Sequence, residues 1–214
     1  MIDKSIYILR HGETDFNRQG IVQGQGVDTE LNALGHQQAH AFFEHYQHLP
    51  FEAVLTSALR RTHQTVAPFI KKNIPWEQFH DINEINWGIH EGKPGNAEMR
   101  ETYKQLMKAW NKGQFEAKIE KGESAAELGA RVERFVHHLQ KREESLLLVC
   151  AHGRTMRALI CVLKELSLTE MDQFDHHNTG VWQVKQSGSR FEFLTENDTT
   201  HLQRLSALKL KQQL

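Results

Sequence analysis

Cysteine, net charge and long apolar runs are what this sequence has least of. It carries two cysteines in 214 residues and a net charge of −1. Cys150 and Cys161 both lie in apolar stretches, so they read as reduced, buried thiols and exclude a disulfide framework. The 26 basic and 27 acidic residues nearly cancel. That balance excludes a general pull toward nucleic acid or a membrane surface, so affinity for an anion must come from a local cluster. No stretch reaches the roughly 18 apolar residues of a membrane span. Met1-Ile2-Asp3-Lys4 lacks the apolar core of a signal peptide, which points to the cytoplasm. Repeats, low-complexity tracts and evident linkers are missing as well. What is present is an ordinary globular composition, 39% hydrophobic and 25% charged, with enough chain for one domain over 1–214.

Apolar periodicity alternates between the two regular structures. Ile6 to Leu9 reads as a buried strand, and Asn32 as the N-cap of a helix that turns Phe42, Phe43 and Tyr46 inward. Ala53 to Thr56 is a second strand. A helix is expected from Ser57, kinked or broken at Pro68. Trp76 to Phe79 makes a third strand. Residues 96–111 carry Met99, Tyr103, Leu106, Met107 and Trp110 at helical spacing, with Gly113 as a stop. Ser124 to Glu127 is a capping box for a helix burying Leu128, Val132, Phe135, Val136 and Leu139. Leu146 to Ala151 is apolar without alternation, as expected of a central parallel strand. A helix over Met156 to Leu166 and two late strands, Val181–Val184 and Arg190–Leu194, complete the pattern, with a surface helix or frayed tail over Leu205–Leu214. The alternation predicts a three-layer α/β fold with a mostly parallel central sheet.

Strand ends are where such folds bind ligands. Two of them read His-Gly, at Arg10-His11-Gly12 and Ala151-His152-Gly153. A third leads into Arg60-Arg61 in the first turn of a helix, and the segment after the next strand supplies Glu84. An imidazole to attack, guanidiniums to hold oxygens and a glycine to admit the backbone suit chemistry on a phosphate.

The ordered set resembles the histidine phosphatase superfamily, the phosphoglycerate-mutase-like enzymes. Arg10-His11-Gly12-Glu13-Thr14 is followed by Asn17, Gln23-Gly24, Asp28, Leu31 and Gly35. Thr56-Ser57-Ala58-Leu59-Arg60-Arg61, Asn83-Glu84 with Trp87-Gly88 and Glu91-Gly92, Gly122-Glu123-Ser124, and Ala151-His152-Gly153 come next in order. The resemblance implies a phosphomonoester hydrolase that forms a phosphohistidine on His11 and needs neither metal nor cofactor. It implies Arg10, Arg61 and His152 around the phosphoryl oxygens and Glu84 as acid and then base. Asn17, Gln23, Gly24 and the Gly153 amide would add uncharged contacts. The implied partner is a small phosphorylated metabolite, not nucleic acid or membrane, with the chain a monomer or homodimer.

The sequence leaves several alternatives open. A phosphoglycerate-mutase-type phosphotransferase is the alternative activity, although the region 93–123 holds one arginine, Arg100, where mutases carry a longer, arginine-bearing insertion. Residues 88–123 read as a helical lid that selects the substrate. Its basic residues Lys93, Arg100, Lys104 and Lys108 form either a second anion site or a solvated face. Glu13 and Glu91 also lie in candidate loops as rival acids. Arg154 either reaches the substrate or pairs with a surface carboxylate. His36 and His40 have the spacing of a helical zinc pair, but Gln37 stands where a zinc protease needs its glutamate, and a solvated helix face explains them better.

Overall fold

The computed structural model describes residues 3–203 and 205. In chain order its elements are β1 (Lys4–Arg10), α1 (Asp15–Gln19), α2 (Ala33–Tyr46), β2 (Ala53–Thr56), α3 (Arg60–Ile70) and β3 (Trp76–Gln78). They continue with α4 (Ala97–Trp110), α5 (Ala125–Lys141), β4 (Leu146–Ala151), α6 (Gly153–Leu163), β5 (Val181–Ser187) and β6 (Arg190–Asp198). The strands form one sheet in the order β3-β2-β4-β1-β5-β6. β3, β2, β4 and β1 run parallel, while β5 and β6 are antiparallel. This is the expected three-layer, mostly parallel α/β architecture.

Both sheet faces are covered, which is why the central strands read as apolar runs. Ile6, Ile8, Leu147 and Val149 pack with Leu128, Val132 and Phe135 of α5 and Leu159 and Ile160 of α6. The alternate residues Leu9, Leu148 and Cys150 pack with Phe42 of α2 and Val66 and Phe69 of α3. Polar caps set the helix starts. Asn32 accepts from the Gly35 amide at 2.9 Å, Asn96 from Met99 at 2.8 Å, and Ser124 forms its capping box with Glu127. Among the described residues no helix is long and apolar enough to cross a membrane.

Several boundaries differ from the sequence reading: β1, β5 and β6 run longer than expected and β3 is one residue shorter. The helix expected at Ser57 begins at Arg60, because the Ser57 hydroxyl accepts from the Leu59 amide at 3.1 Å and holds a turn ahead of it. Pro68 does not break that helix, which continues two residues further to Ile70. The helix expected at Met156 starts at Gly153, directly after β4, and ends at Leu163. Glu165 then takes a left-handed conformation with φ 55°. Beyond Leu205, the tail reading falls outside the described residues.

The register positions the site. Arg10 pairs with Ala151 across β1 and β4, so His11 and His152 leave the sheet at the same level. Thr56 pairs with Cys150, which brings Ser57 and the start of α3 to the same edge.

Candidate active site

His11 is 3% exposed, just past the end of β1. Its Nδ1 lies 2.7 Å from the Gly12 carbonyl oxygen. A carbonyl can only accept, so Nδ1 carries the proton and Nε2 keeps its lone pair. Burial, then the nearby Arg61 and Arg10 guanidiniums, hold the imidazole well below its usual pKa. The ring is therefore neutral across the physiological range. The loop that carries it is packed tightly: a Cβ on Gly12 would stand 2.7 Å from the Gly35 carbonyl oxygen. The Gly12 amide donates to Thr65 Oγ1 at 2.9 Å, and Asn178 Nδ2 donates to the His11 carbonyl at 2.9 Å.

Arg61, in the first turn of α3, is fully buried, with no carboxylate partner among the described residues. Its Nε donates to His152 Nδ1 at 3.1 Å, Nη1 to the Val27 carbonyl at 2.8 Å and Nη2 to the Gly24 carbonyl at 3.4 Å. Desolvation lowers its pKa to about 10, still well above neutrality. Because His152 Nδ1 accepts, its proton sits on Nε2, which donates to Ser57 Oγ at 2.7 Å. Burial and Arg61 keep this second imidazole neutral too. The two rings stand 5.1 Å apart. Arg60, by contrast, is at the surface, bonded to Glu30 and, through its amide, to Asp28.

Glu84 caps α6. Its Oε2 accepts from the Arg154 amide at 3.2 Å, and its Oε1 from the Thr155 amide at 3.0 Å and the Thr155 hydroxyl at 3.1 Å. A carboxylate from a distant loop thus satisfies amides that a local Thr, Asn or Ser satisfies at the starts of α1, α2, α4 and α5. This explains why α6 begins earlier than the sequence suggested. The rival acids are otherwise engaged. Glu91 accepts from the Trp87 amide at 2.8 Å and the Gly26 amide at 2.9 Å, and Glu13 accepts from Asn32 at 2.8 Å.

Beside Arg10 and Glu84 lies a cavity of about 220 Å³, lined by these two with Trp87, Tyr103, Gly153, Arg154, Arg157 and His176, and not by His11, Arg61 or His152. His11, Arg61 and His152 are almost wholly buried. Arg10 donates from Nη1 to the His176 carbonyl at 3.0 Å and leaves Nε buried, with no partner among the described residues. Arg154 has the carboxylate partner that was one of its two expected roles. It lines the cavity, and it pairs with Asp172 at 2.8 Å while bonding the Tyr103 hydroxyl. Its guanidinium lies 5.9 Å from the Tyr103 ring centre and 5.8 Å from that of Trp110.

The remaining expected contacts sit further out. Asn17 accepts from the Thr14 amide at 3.2 Å in a capping box, and this bond leaves its Nδ2 uncommitted. Gln23 accepts from Thr14 Oγ1 at 3.0 Å and has a buried Nε2 with no partner among the described residues; it lines a neighbouring cavity instead. Gly24 gives its carbonyl to Arg61 and packs so closely that a Cβ would fall 1.8 Å from Glu91 Oε1.

Sequence reasoning assigned no role to Ser57, Thr155, Arg157, Tyr103 or His176. Ser57 lies inside the Thr56–Arg61 motif and was within reach. His176 carried no local signal. Its Nδ1 accepts from the Trp182 indole at 3.0 Å, and burial lowers its pKa to about 3. Among the described residues no group of three His, Cys, Asp or Glu side chains is arranged to hold a metal.

A neutral imidazole with a free lone pair, at the carboxyl edge of a parallel sheet and beside two buried guanidiniums, defines a class of protein that handles phosphoryl groups. The chain belongs to the histidine phosphatase superfamily, branch 1, whose family model matches residues 6–199. It is 32% identical over 170 residues to the Mus musculus 6-phosphofructo-2-kinase/fructose-2,6-bisphosphatase 1, covering 78% of this chain but only 34% of that protein. The chain thus spans about a third of that bifunctional relative. Among solved structures, a mutant phosphoserine phosphatase from Entamoeba histolytica in complex with phosphoserine superposes with a TM-score of 0.79 at 25% identity, covering 93% of this chain and 99% of that one. The alpha-ribazole phosphatase from Shigella flexneri shares the fold, with a TM-score of 0.80 at 23% identity over 91% of this chain and 96% of that one.

Proposed function

We propose that this chain is a phosphoric monoester hydrolase that works through a phosphohistidine on His11. The observation that carries the reading is the 2.7 Å contact between His11 Nδ1 and the Gly12 carbonyl, which leaves Nε2 unprotonated. The Nε2 lone pair attacks phosphorus, and the bond from phosphorus to the alcohol oxygen breaks. Glu84, in its acid form, protonates that oxygen as it leaves. Water then gives a proton to the Glu84 carboxylate while its oxygen attacks phosphorus. The P–N bond breaks, and phosphate and neutral His11 are released.

Arg10 and Arg61 hold the equatorial oxygens and offset the charge that spreads over them in the transition state. Arg61 is oriented by three acceptors, one of them His152. His152 joins the phosphoryl shell by exchanging Ser57 for a phosphoryl oxygen at its Nε2–H. Asn17 Nδ2 and the Gly153 amide add uncharged donors, with Gln23 and Gly24 in the surrounding loop. Arg154 binds the alcohol portion. Residues 88–123 act as a lid within one domain spanning 1–214, in a cytoplasmic monomer or homodimer. The substrate is a small phosphorylated metabolite, as the names of the relatives suggest.

The test is phosphate release from p-nitrophenyl phosphate and a panel of metabolite monoesters, with and without His11→Ala. The substitution should lower kcat by at least about a thousandfold, since the residual groups bind but cannot form the intermediate. Turnover that survives in His11→Ala would sink the reading.

A further inference from the structure

Two cavities meet at Trp87 and Tyr103. The catalytic one, about 220 Å³, is walled by Arg10, Glu84, Arg154 and Arg157. The second is larger, about 520 Å³, and lies on the lid side of the same two rings. Its walls are mostly carbon, from Val22, Trp87, Met99, Tyr103 and Ile119. Arg100 and Lys104 of α4 also line it. Neither takes part in an ion pair among the described residues, and Lys104 is exposed. Trp87 and Tyr103 meet edge to face, with ring centres 5.6 Å apart, and Tyr103 is 38% exposed. The shared wall is therefore made of two aromatic rings, one of them not packed in.

We propose that the second cavity is a leaving-group subsite for an aromatic or otherwise apolar body of a phosphomonoester, with Arg100 and Lys104 meeting an anionic substituent at its far end. The inference rests on the phosphatase reading and goes beyond it to the substrate class. An alcohol portion that outgrows the 220 Å³ catalytic cavity meets the Trp87–Tyr103 wall, with the second cavity on its other side. A polyhydroxylated chain placed there would leave hydroxyls unpaired against carbon, which is costly. A ring system gains from the same walls through apolar burial and edge-to-face contact. A volume of this size, lined by apolar and aromatic groups with a few polar ones, is that of an ordinary small-molecule site. The two α4 cations outside any ion pair then have a role that a solvated helix face does not give them.

The experiment compares alcohol phosphates of similar leaving-group reactivity. kcat/KM is measured for ethyl phosphate, 2-phenylethyl phosphate and 2-(4-carboxyphenyl)ethyl phosphate, with His11→Ala as the blank. The phenyl compound should exceed ethyl phosphate by about ten- to a hundredfold, the span expected for burying one ring. The carboxylated compound should gain a further severalfold, lost in Lys104→Glu. Met99→Trp, which fills the cavity, should collapse the phenyl-to-ethyl ratio. If Met99→Trp does not fold, as judged by its melting curve, Lys104→Glu carries the test. A phenyl-to-ethyl ratio near one with His11-dependent turnover would overturn the subsite alone, as would ratios indifferent to these substitutions. No turnover of any of the three, beside His11-dependent release from a metabolite monoester, would overturn the subsite alone. Ethyl phosphate hydrolysis that persists in His11→Ala would overturn the phosphatase reading and the subsite with it.

Discussion

The floor of the site, the buried cluster of His11, Arg61 and His152, and the lid-side wall of the cavity beside it are built on opposite terms. On the floor, His11, Arg61 and His152 are 3%, 0% and 0% exposed, and each is bonded to backbone or to another floor residue. Arg61 alone spends three donors on Val27, Gly24 and His152. The wall is looser: Tyr103 is 38% exposed. Its one tightly held cation, Arg154, shares Asp172 with Arg157. On the proposed function, the contrast implies that reaction and substrate are encoded separately. The floor is tightly held and would fix the chemistry, while the wall is loosely held and would fit the alcohol.

That division can be broken by substitutions on either side. Glu84→Gln should have the largest effect among those that keep the architecture, because the amide still offers one acceptor to the α6 amides. For substrates with poor leaving groups, kcat/KM, which reports formation of the phosphohistidine and not its hydrolysis, should fall about a hundred- to ten-thousandfold. The loss should be much smaller for p-nitrophenyl phosphate, whose leaving group needs no proton. An equal loss on both, in steady-state assays, would move the acid elsewhere.

On the wall, Arg154→Met removes the Asp172 pair and the Tyr103 contact. KM for metabolite substrates should rise about tenfold, as expected for one charge-assisted hydrogen bond, with the loss falling more in KM than in kcat. A kcat collapse with KM unchanged would place Arg154 on the floor instead.

The remaining effect is on stability and leaves the chemistry aside. Burial, with Arg61, holds His11 and His152 well below their ordinary pKa, while burial lowers His176 to about 3 and His201 to about 4. Their unfolded values are near 6.5. Above that pH neither state binds the proton and nothing is lost. Below it the unfolded chain takes up protons that the folded chain refuses. Stability is therefore complete above about pH 6.5 and is lost as pH falls toward the folded values. Each histidine costs up to about 1.4 kcal/mol per pH unit. Melting temperatures recorded from pH 7.5 to 5 should drop steeply below about 6.5, and the slope should shrink in His176→Asn. A flat profile would contradict the burial of these rings.

The same division governs how much could be read from sequence. The floor was legible because its residues sit at strand ends, where the motif gives both identity and place. β2 and the α5 capping box lie where periodicity and cap chemistry put them. The misses arose where a distant group did the work of a local one. Glu84 caps α6 from 70 residues away, so the helix starts without the usual local cap signal. His176 enters the cavity wall because β5 carries Trp182 to its Nδ1, a tertiary contact invisible in the chain. The wall was legible only as a helix with basic residues, because the shape of a cavity depends on how α4 packs rather than on its own pattern.

The central claim is that His11 Nε2 becomes covalently phosphorylated. Rapid acid-free quenching of the enzyme during turnover of a monoester labelled in its phosphoryl group tests it most directly. The account predicts a protein-bound label that is stable to alkali and labile to acid, maps to His11, and is absent from His11→Ala. Full turnover with no label above the His11→Ala background, or with the label on another residue, would contradict it.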